Sequence, residues 1–295
     1  RAYWHWGWQR IAFGSWWPNT TPGLTFMKTL GSGKEGGFGL MPSLSHQGMF
    51  CIFDSETEAN DFVNLLTEDN LPYYTRDIST IFGGDSAYGA WARNWTAEEG
   101  RHAIAIRDYL TVTRALDPVE LERARMHQVR GAQVPTPGGL YEALAYLSMQ
   151  ELATRIAHRN TGKLIGDQAG QDVMLRVGND ENLHYLFYRD LASAALEVAP
   201  SEMMIGIERA VRNFSMPGTG IPNFIEHAKK IASAGIYDFK IHLEQILEPV
   251  VLRHWKVKDV SGLSAEGEQA RDALIARIDK ISRVSARLSR EPQTV

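Results

Sequence analysis

Several helical stretches of this chain carry a glutamate where the hydrophobic repeat calls for a leucine, and that limits the folds open to it. From Leu140 to His158, the residues Leu140, Leu144, Leu147, Glu151, Thr154 and His158 recur at alternating steps of four and three, so they share one helix face. The stripe is apolar up to Glu151, which therefore points toward the core. Met174, Val177, Glu181, His184, Tyr188, Leu191 and Ala195 form a second seam with Glu-x-x-His at its centre. Trp91, Trp95, Glu99, His102, Ile106 and Tyr109 form a third with the same motif. A fourth, more weakly patterned helix sets Glu68 in line with Leu65, Leu71, Ile78 and Phe82.

Burying one unpartnered carboxylate costs on the order of several kcal/mol, and four in one core repel each other as well. A positive partner is required. Lys and Arg are absent from these inward stripes, whereas two ferrous ions would set four positive charges against four glutamates. Carboxylate with imidazole suits iron or manganese better than thiolate-seeking metals. Glu and His three apart project side by side, so one helical turn can offer a metal an oxygen and a nitrogen. Two lone glutamates from other helices can then bridge or complete the pair, as in ferritin-like di-iron bundles. The expected metal ligands are Glu68, Glu99, His102, Glu151, Glu181 and His184, and the expected cofactor is two Fe2+ ions. A single Glu-x-x-His is usually a solvated helix face; two on apolar seams, each with an inward Glu elsewhere, are not. His5, His46, His127, His158, His227, His242 and His254 have no matched partner and read as surface or hydrogen-bonded residues.

The rest of the composition narrows the function classes. With 31 basic and 35 acidic residues well mixed and a net charge of -4, no basic stripe is available to track a phosphate backbone, so nucleic acid is not an expected partner. The single cysteine, Cys51, excludes an intrachain disulfide and a cysteine-based zinc or iron-sulfur site, and fits a reducing cytoplasm. No apolar run approaches the roughly 20 residues that a membrane helix needs, and no charged-then-apolar leader is evident.

The first sixty residues differ in character from the rest. Five of the eight tryptophans are Trp4, Trp6, Trp8, Trp16 and Trp17, and glycines crowd between Gly31 and Gly39. Gly31-x-Gly33-x-x-Gly36 matches a dinucleotide fingerprint, but Gly37, Phe38, Gly39 and Pro42 cannot open the helix that would hold a pyrophosphate, so a flexible connection is expected. Gly48 to Asp54 reads as a short buried strand, and Ser55-Glu56-Thr57-Glu58 as a capping box opening a helix. Further helix breaks are expected at Asp117-Pro118, Pro135 to Gly139, Pro200-Ser201, Met216 to Pro222 and Ser261 to Ser264. The expected fold is mainly α: a ferritin-like four-helix di-iron bundle with extra helices, preceded by a short α/β or irregular segment.

The site residues carry a family resemblance. Thr67-Glu68-Asp69-Asn70-Leu71-Pro72, Trp95-Thr96-Ala97-Glu98-Glu99-Gly100-Arg101-His102, Gln150-Glu151-Leu152-Ala153-Thr154 and Asp180-Glu181-Asn182-Leu183-His184 resemble, in that order, the soluble acyl-acyl-carrier-protein desaturases of actinobacterial type. Similarity continues through His158-Arg159-Asn160-Thr161, Ser215-Met216-Pro217, Trp255-Lys256-Val257 and Gly262 to Gly267, covering roughly residues 63 to 290. Gly100 and Asn182-Leu183 depart from the family's usual residues, but between ligands. Residues 1–62 resemble instead a fragment of the spheroidene monooxygenase family, through Phe26-Met27-Lys28, Gly33, Gly36 to Gly39, and His46-Gln47-Gly48 to Asp54. Two domains are therefore expected, 1–62 and 63–295. Residues 1–62 do not resemble the N-terminal helices that such desaturases carry, and neither Trp16 nor Trp17 clearly matches the tryptophan of the electron relay that the resemblance implies.

The resemblance implies dioxygen-dependent desaturation of a fatty acyl chain on acyl carrier protein, within fatty-acid biosynthesis. It also implies a ferredoxin-like electron donor and a homodimer. Thr154 would donate a hydrogen bond or proton to oxygen at the centre, and Asp180 would orient a ligand histidine. Another di-iron oxygenase, an iron-binding protein without catalysis and a carotenoid oxygenase are the rivals.

Overall fold

The computed structural model describes residues 24–33, 42–53, 65–131, 136–216 and 224–288. The capping box at Ser55–Glu58, the junction near residue 62 and the tryptophans before residue 20 lie outside the described residues. Two antiparallel strands, β1 (Leu24–Gly33) and β2 (Pro42–Phe53), pair with Leu24 opposite Phe53 and Gly33 opposite Pro42. The strand expected from residue 48 thus begins earlier, at Pro42, and Gly31 and Gly33 end a strand.

Every described element after the strands is helical. They are α1 (Leu71–Phe82), α2 (Ala87–Val112), α3 (Pro118–Gly131), α4 (Leu140–Leu164), α5 (Gln168–Val198), α6 (Pro200–Asn213), α7 (Phe224–Ser233), α8 (Phe239–His242), a π-helical Leu243–His254, and α9 (Ala265–Leu288). Pro118 opens α3 and Pro200 opens α6, where breaks are expected. Ser86 caps α2 by accepting from the Gly89 amide at 3.2 Å, and Asp167 caps α5 by accepting from the Gly170 amide at 3.0 Å, two caps absent from the expected signals. Pro249 lies inside the π-helical stretch, which sequence periodicity does not reveal.

One expectation needs correction. Glu68 does not belong to a helix running on through Leu71 and Phe82. Residues 65–68 are helical, but the chain turns at Asp69–Asn70 before α1 starts. The cause is Pro72, which has no amide hydrogen to give the Glu68 carbonyl. The turn is closed by Asn70 N–H to Thr67 O at 3.1 Å and Tyr73 N–H to Asn70 O at 2.9 Å. It is tied to α3: Arg125 grips Asp69 with two hydrogen bonds, of 2.6 and 2.8 Å, and Gln128 Nε2 donates to Asn70 Oδ1 at 3.0 Å. Glu68 still faces inward and is buried.

Helices α4 and α5, joined through Ile165–Asp167, form the tightest pair and bury Leu144, Leu147, Met149, Met174, Val177 and Tyr188. Helix α6 crosses α4 so closely that a Cβ on Gly206 would lie 2.6 Å from the Tyr141 carbonyl carbon and 2.8 Å from the Glu142 nitrogen. Because these neighbours are backbone, the helices would have to separate. We expect Gly206→Ala to destabilise the fold by about 1–3 kcal/mol, whereas Gly166→Ala, whose Cβ meets nothing within 4 Å, should be near neutral. Thermal melting of both variants checks this; equal melting temperatures would show that the crossing tolerates a side chain.

Candidate metal centre

The six expected ligands converge. Glu68, Glu99, His102 and Glu181 each offer one atom to a group whose members lie within 4.8 Å of one another, and Glu99, Glu151, Glu181 and His184 form a second such group. Glu99 and Glu181 belong to both. Every member is buried. Glu99 and His102 come from one face of α2, Glu181 and His184 from one face of α5, Glu151 from α4, and Glu68 from the turn before α1.

The distances show how the two central carboxylates are shared. Glu99 turns Oε2 toward His102 Nδ1 at 3.5 Å and Oε1 toward His184 Nδ1 at 2.9 Å. Glu181 does the same with Oε1 to His102 at 3.3 Å and Oε2 to His184 at 3.8 Å. Of these two histidines, Glu68 approaches only His102, at 3.8 Å, and Glu151 only His184, at 3.8 Å. Glu99 and Glu181 thus face both imidazoles and could be shared between two cations, with Glu68 and Glu151 each at one end.

Both histidines are held from behind. His102 Nε2 lies 3.3 Å from Asp180 Oδ2, and His184 Nε2 lies 3.0 Å from Glu98 Oε2. Each outer carboxylate immediately precedes an inner glutamate, and each reaches across to the other helix. An imidazole donating Nε2–H outward presents its Nδ1 lone pair inward. Asp180 was expected in this role. Glu98 was not, although its position mirrors that of Asp180 by one residue and could have been found from that symmetry. Arg101 Nη2 lies 3.7 Å from both Glu98 and Asp180 and balances the pair.

The donor set fits metal. Among the described residues, eight buried side-chain atoms have no hydrogen-bond partner, and four of them belong to the ligands: Glu99 Oε1, His102 Nδ1, Glu151 Oε1 and His184 Nδ1. Unmet polar atoms concentrated at one point are what a cation would satisfy. Thr154 also sits here. Its hydroxyl lies 3.1 Å from Glu181 Oε2, 3.0 Å from the Glu151 carbonyl and 3.2 Å from that of Gln150. With one proton and three acceptors, it can satisfy its own helix or face the centre.

One side of the centre borders a small cavity of about 50 Å³, lined by Glu68, Glu99, Glu151, Thr154 and Glu181 together with Ile78, Ile81, Phe82, Ala143 and Leu147. The histidines do not line it. Aromatic rings pack around His184 instead: Trp91 stacks on Phe187 at 3.8 Å, and Trp91 and Trp95 both lie 6.2 Å from the imidazole.

A family model described as fatty acid desaturase matches residues 60–294. The chain belongs to the fatty acid desaturase family. It is 44% identical over 219 residues to DesA1 of Mycobacterium tuberculosis H37Rv, a candidate acyl-[acyl-carrier-protein] desaturase, covering 72% of this chain and 64% of that one. It is 31% identical over 248 residues to the chloroplastic stearoyl-[acyl-carrier-protein] 9-desaturase of Gossypium hirsutum, covering 78% of this chain and 62% of the relative. The chain thus spans less than two thirds of the length of these relatives. An X-ray structure of the candidate acyl-ACP desaturase DesA2 of M. tuberculosis matches with a TM-score of 0.54 and 24% identity, covering 73% of this chain and 77% of that one, and shares the fold. No described helix is long and apolar enough to cross a membrane.

Without metal the cluster must take up protons. Burial raises the Glu68 carboxyl to about 7, and burial followed by the charge of Glu181 holds Glu151 well above the ordinary range. Burial favours neutral imidazoles, but the surrounding carboxylates outweigh it, lifting His102 to about 12 and His184 higher. Burial also opposes charge on Glu181, yet His102 and His184 hold that carboxyl well below its usual value. A group that binds its proton more tightly when folded contributes stability that is complete below its unfolded pKa and lost as pH rises through the folded value. Glu68, Glu151 and both histidines act in this sense. Glu181 acts in the opposite sense, and its contribution is lost only as pH falls through a value below the ordinary one. The metal-free protein should therefore melt at progressively lower temperature between about pH 5 and about pH 8. Glu151→Gln should melt no lower than wild type without metal, yet forfeit part of the metal-induced gain, which is about 2.7 kcal/mol per site at roughly 100-fold excess over Kd. A metal-free melting temperature that rises over that pH range contradicts this account.

Proposed function

We propose that this chain desaturates a fatty acyl chain presented on acyl carrier protein, at a di-iron centre held by Glu68, Glu99, His102, Glu151, Glu181 and His184. The observation that supports the reading is that four buried glutamates of two overlapping Glu/His groups, Glu68, Glu99, Glu151 and Glu181, line a largely apolar cavity. The names of the related proteins point to the same substrate class. Residues 63–295 form the desaturase domain in this reading, and 1–62 a separate spheroidene-monooxygenase-like piece.

Two bound ferrous ions would supply the reductive activation of dioxygen that removing hydrogen from an unactivated methylene requires, a task beyond any side chain. The balance is one saturated chain, one dioxygen, two electrons and two protons giving one alkene and two waters. A ferredoxin-like one-electron donor supplies the electrons, and the protein works as a cytoplasmic homodimer.

The chain's own residues do the rest. Ile78, Ile81, Phe82, Ala143 and Leu147 exclude water and hold a methylene chain along the cavity. Thr154, at the boundary between cavity and carboxylates, holds a hydroxyl proton that can turn from the Gln150 and Glu151 carbonyls toward the reacting end. Asp180 and Glu98 keep both imidazoles aimed inward.

The test is product analysis after anaerobic ferrous loading, with a saturated acyl chain on acyl carrier protein, reduced ferredoxin and dioxygen. An internal alkene is expected, and Glu99→Gln should lower its yield by about 100-fold or more, beyond what loss of an outer partner costs. A hydroxylated chain would make the protein another kind of di-iron oxygenase. Iron uptake without reductant-dependent oxygen consumption would make it an iron-binding protein.

A further inference from the structure

The two ends of the centre are built alike except at one residue. His102 and His184 each have an outer carboxylate, and Glu99 and Glu181 each face both imidazoles. The terminal glutamates break this symmetry. Glu151 projects from the middle of α4, a regular helix of 25 residues, and its Oε1 has no hydrogen-bond partner. Glu68 projects from a chain that Pro72 has interrupted. Its Oε1 lies 3.1 Å from Nε2 of His158, a buried histidine that sits 4.0 Å from Glu181 Oε1 and whose own Nδ1 has no partner.

His158 stands seven residues after Glu151 on α4, so the same helix face supplies a ligand to one end of the centre and a hydrogen bond to the ligand of the other. We propose that His158 is a positioning residue for the Glu68–His102 end of the centre, so that the two metal positions are inequivalent and that end depends on a hydrogen bond the Glu151–His184 end does not have. The proposal rests on the di-metal reading above. The physical reason is that a ligand within a long helix is aimed by its own backbone, whereas one beside a helix break needs an outer partner to fix its carboxylate. With Nε2–H of His158 donating to Glu68 Oε1, Oε2, which faces His102, would stay free for a metal.

Anaerobic titration with Co2+, followed by its visible absorption and by isothermal calorimetry, reads both positions without relying on activity. Wild type should bind two Co2+ per chain in two resolvable steps with different spectra. His158→Phe should weaken one step by about 10–100-fold, the range for loss of an outer hydrogen bond, and leave the other in place. His158→Gln keeps an amide donor and should recover part of the loss. Circular dichroism confirms that each variant is folded. Two equivalent steps in wild type overturn the proposal, and that result needs no variant. So does a folded His158→Phe protein that binds both ions as wild type does, or one that loses both positions equally. Failure of wild type to bind any Co2+ would instead overturn the di-metal reading itself.

Discussion

Mutual repulsion among four buried carboxylates is the constraint on which this structure turns. Glu68, Glu99, Glu151 and Glu181 come from four separate segments, are all buried, and gather with two histidines into overlapping groups. An apolar core cannot hold that arrangement unless positive charge sits inside it, as protons or as metal. Without metal, the protons go to Glu68, Glu151 and the imidazoles, and the fold bears the cost as pH rises. Two divalent cations would cancel the four negative charges and give the unmet atoms of Glu99, Glu151, His102 and His184 partners.

Around that demand the helices divide the centre into two faces. The carboxylates and Thr154 border the largely apolar cavity. The imidazoles do not line it; their Nε2 atoms meet the partly exposed Asp180 and Glu98, beside Arg101. Helix geometry produces this separation directly, because Glu and His three apart on α2 and α5 face slightly different directions.

Much of this was legible in the sequence, and the reasons are specific. Helices α2, α4 and α5 are long and cross the core, so each inward glutamate stood out against an apolar stripe. The outer partner Asp180 came from family resemblance. Glu98 was missed because a half-exposed acid beside a ligand looks like an ordinary surface residue until the facing histidine is located. His158 was read only as surface or hydrogen-bonded, since periodicity shows that it points inward but not that Glu68 lies opposite. The break before α1 escaped because Leu65, Leu71 and Ile78 keep helical spacing across it, while Pro72 withholds one amide hydrogen. The π-helical Leu243–His254 has no periodic signature of its own. Residues 1–62 show a β1–β2 pairing that the strand signal anticipated in part.

The account stands on cations occupying the cluster. Anaerobic reconstitution with Fe2+, followed by iron analysis and Mössbauer spectroscopy, tests that most directly. The account predicts two irons per chain in oxygen- and nitrogen-rich coordination, exchange-coupled once oxidised. Fewer than one iron per folded chain would contradict it.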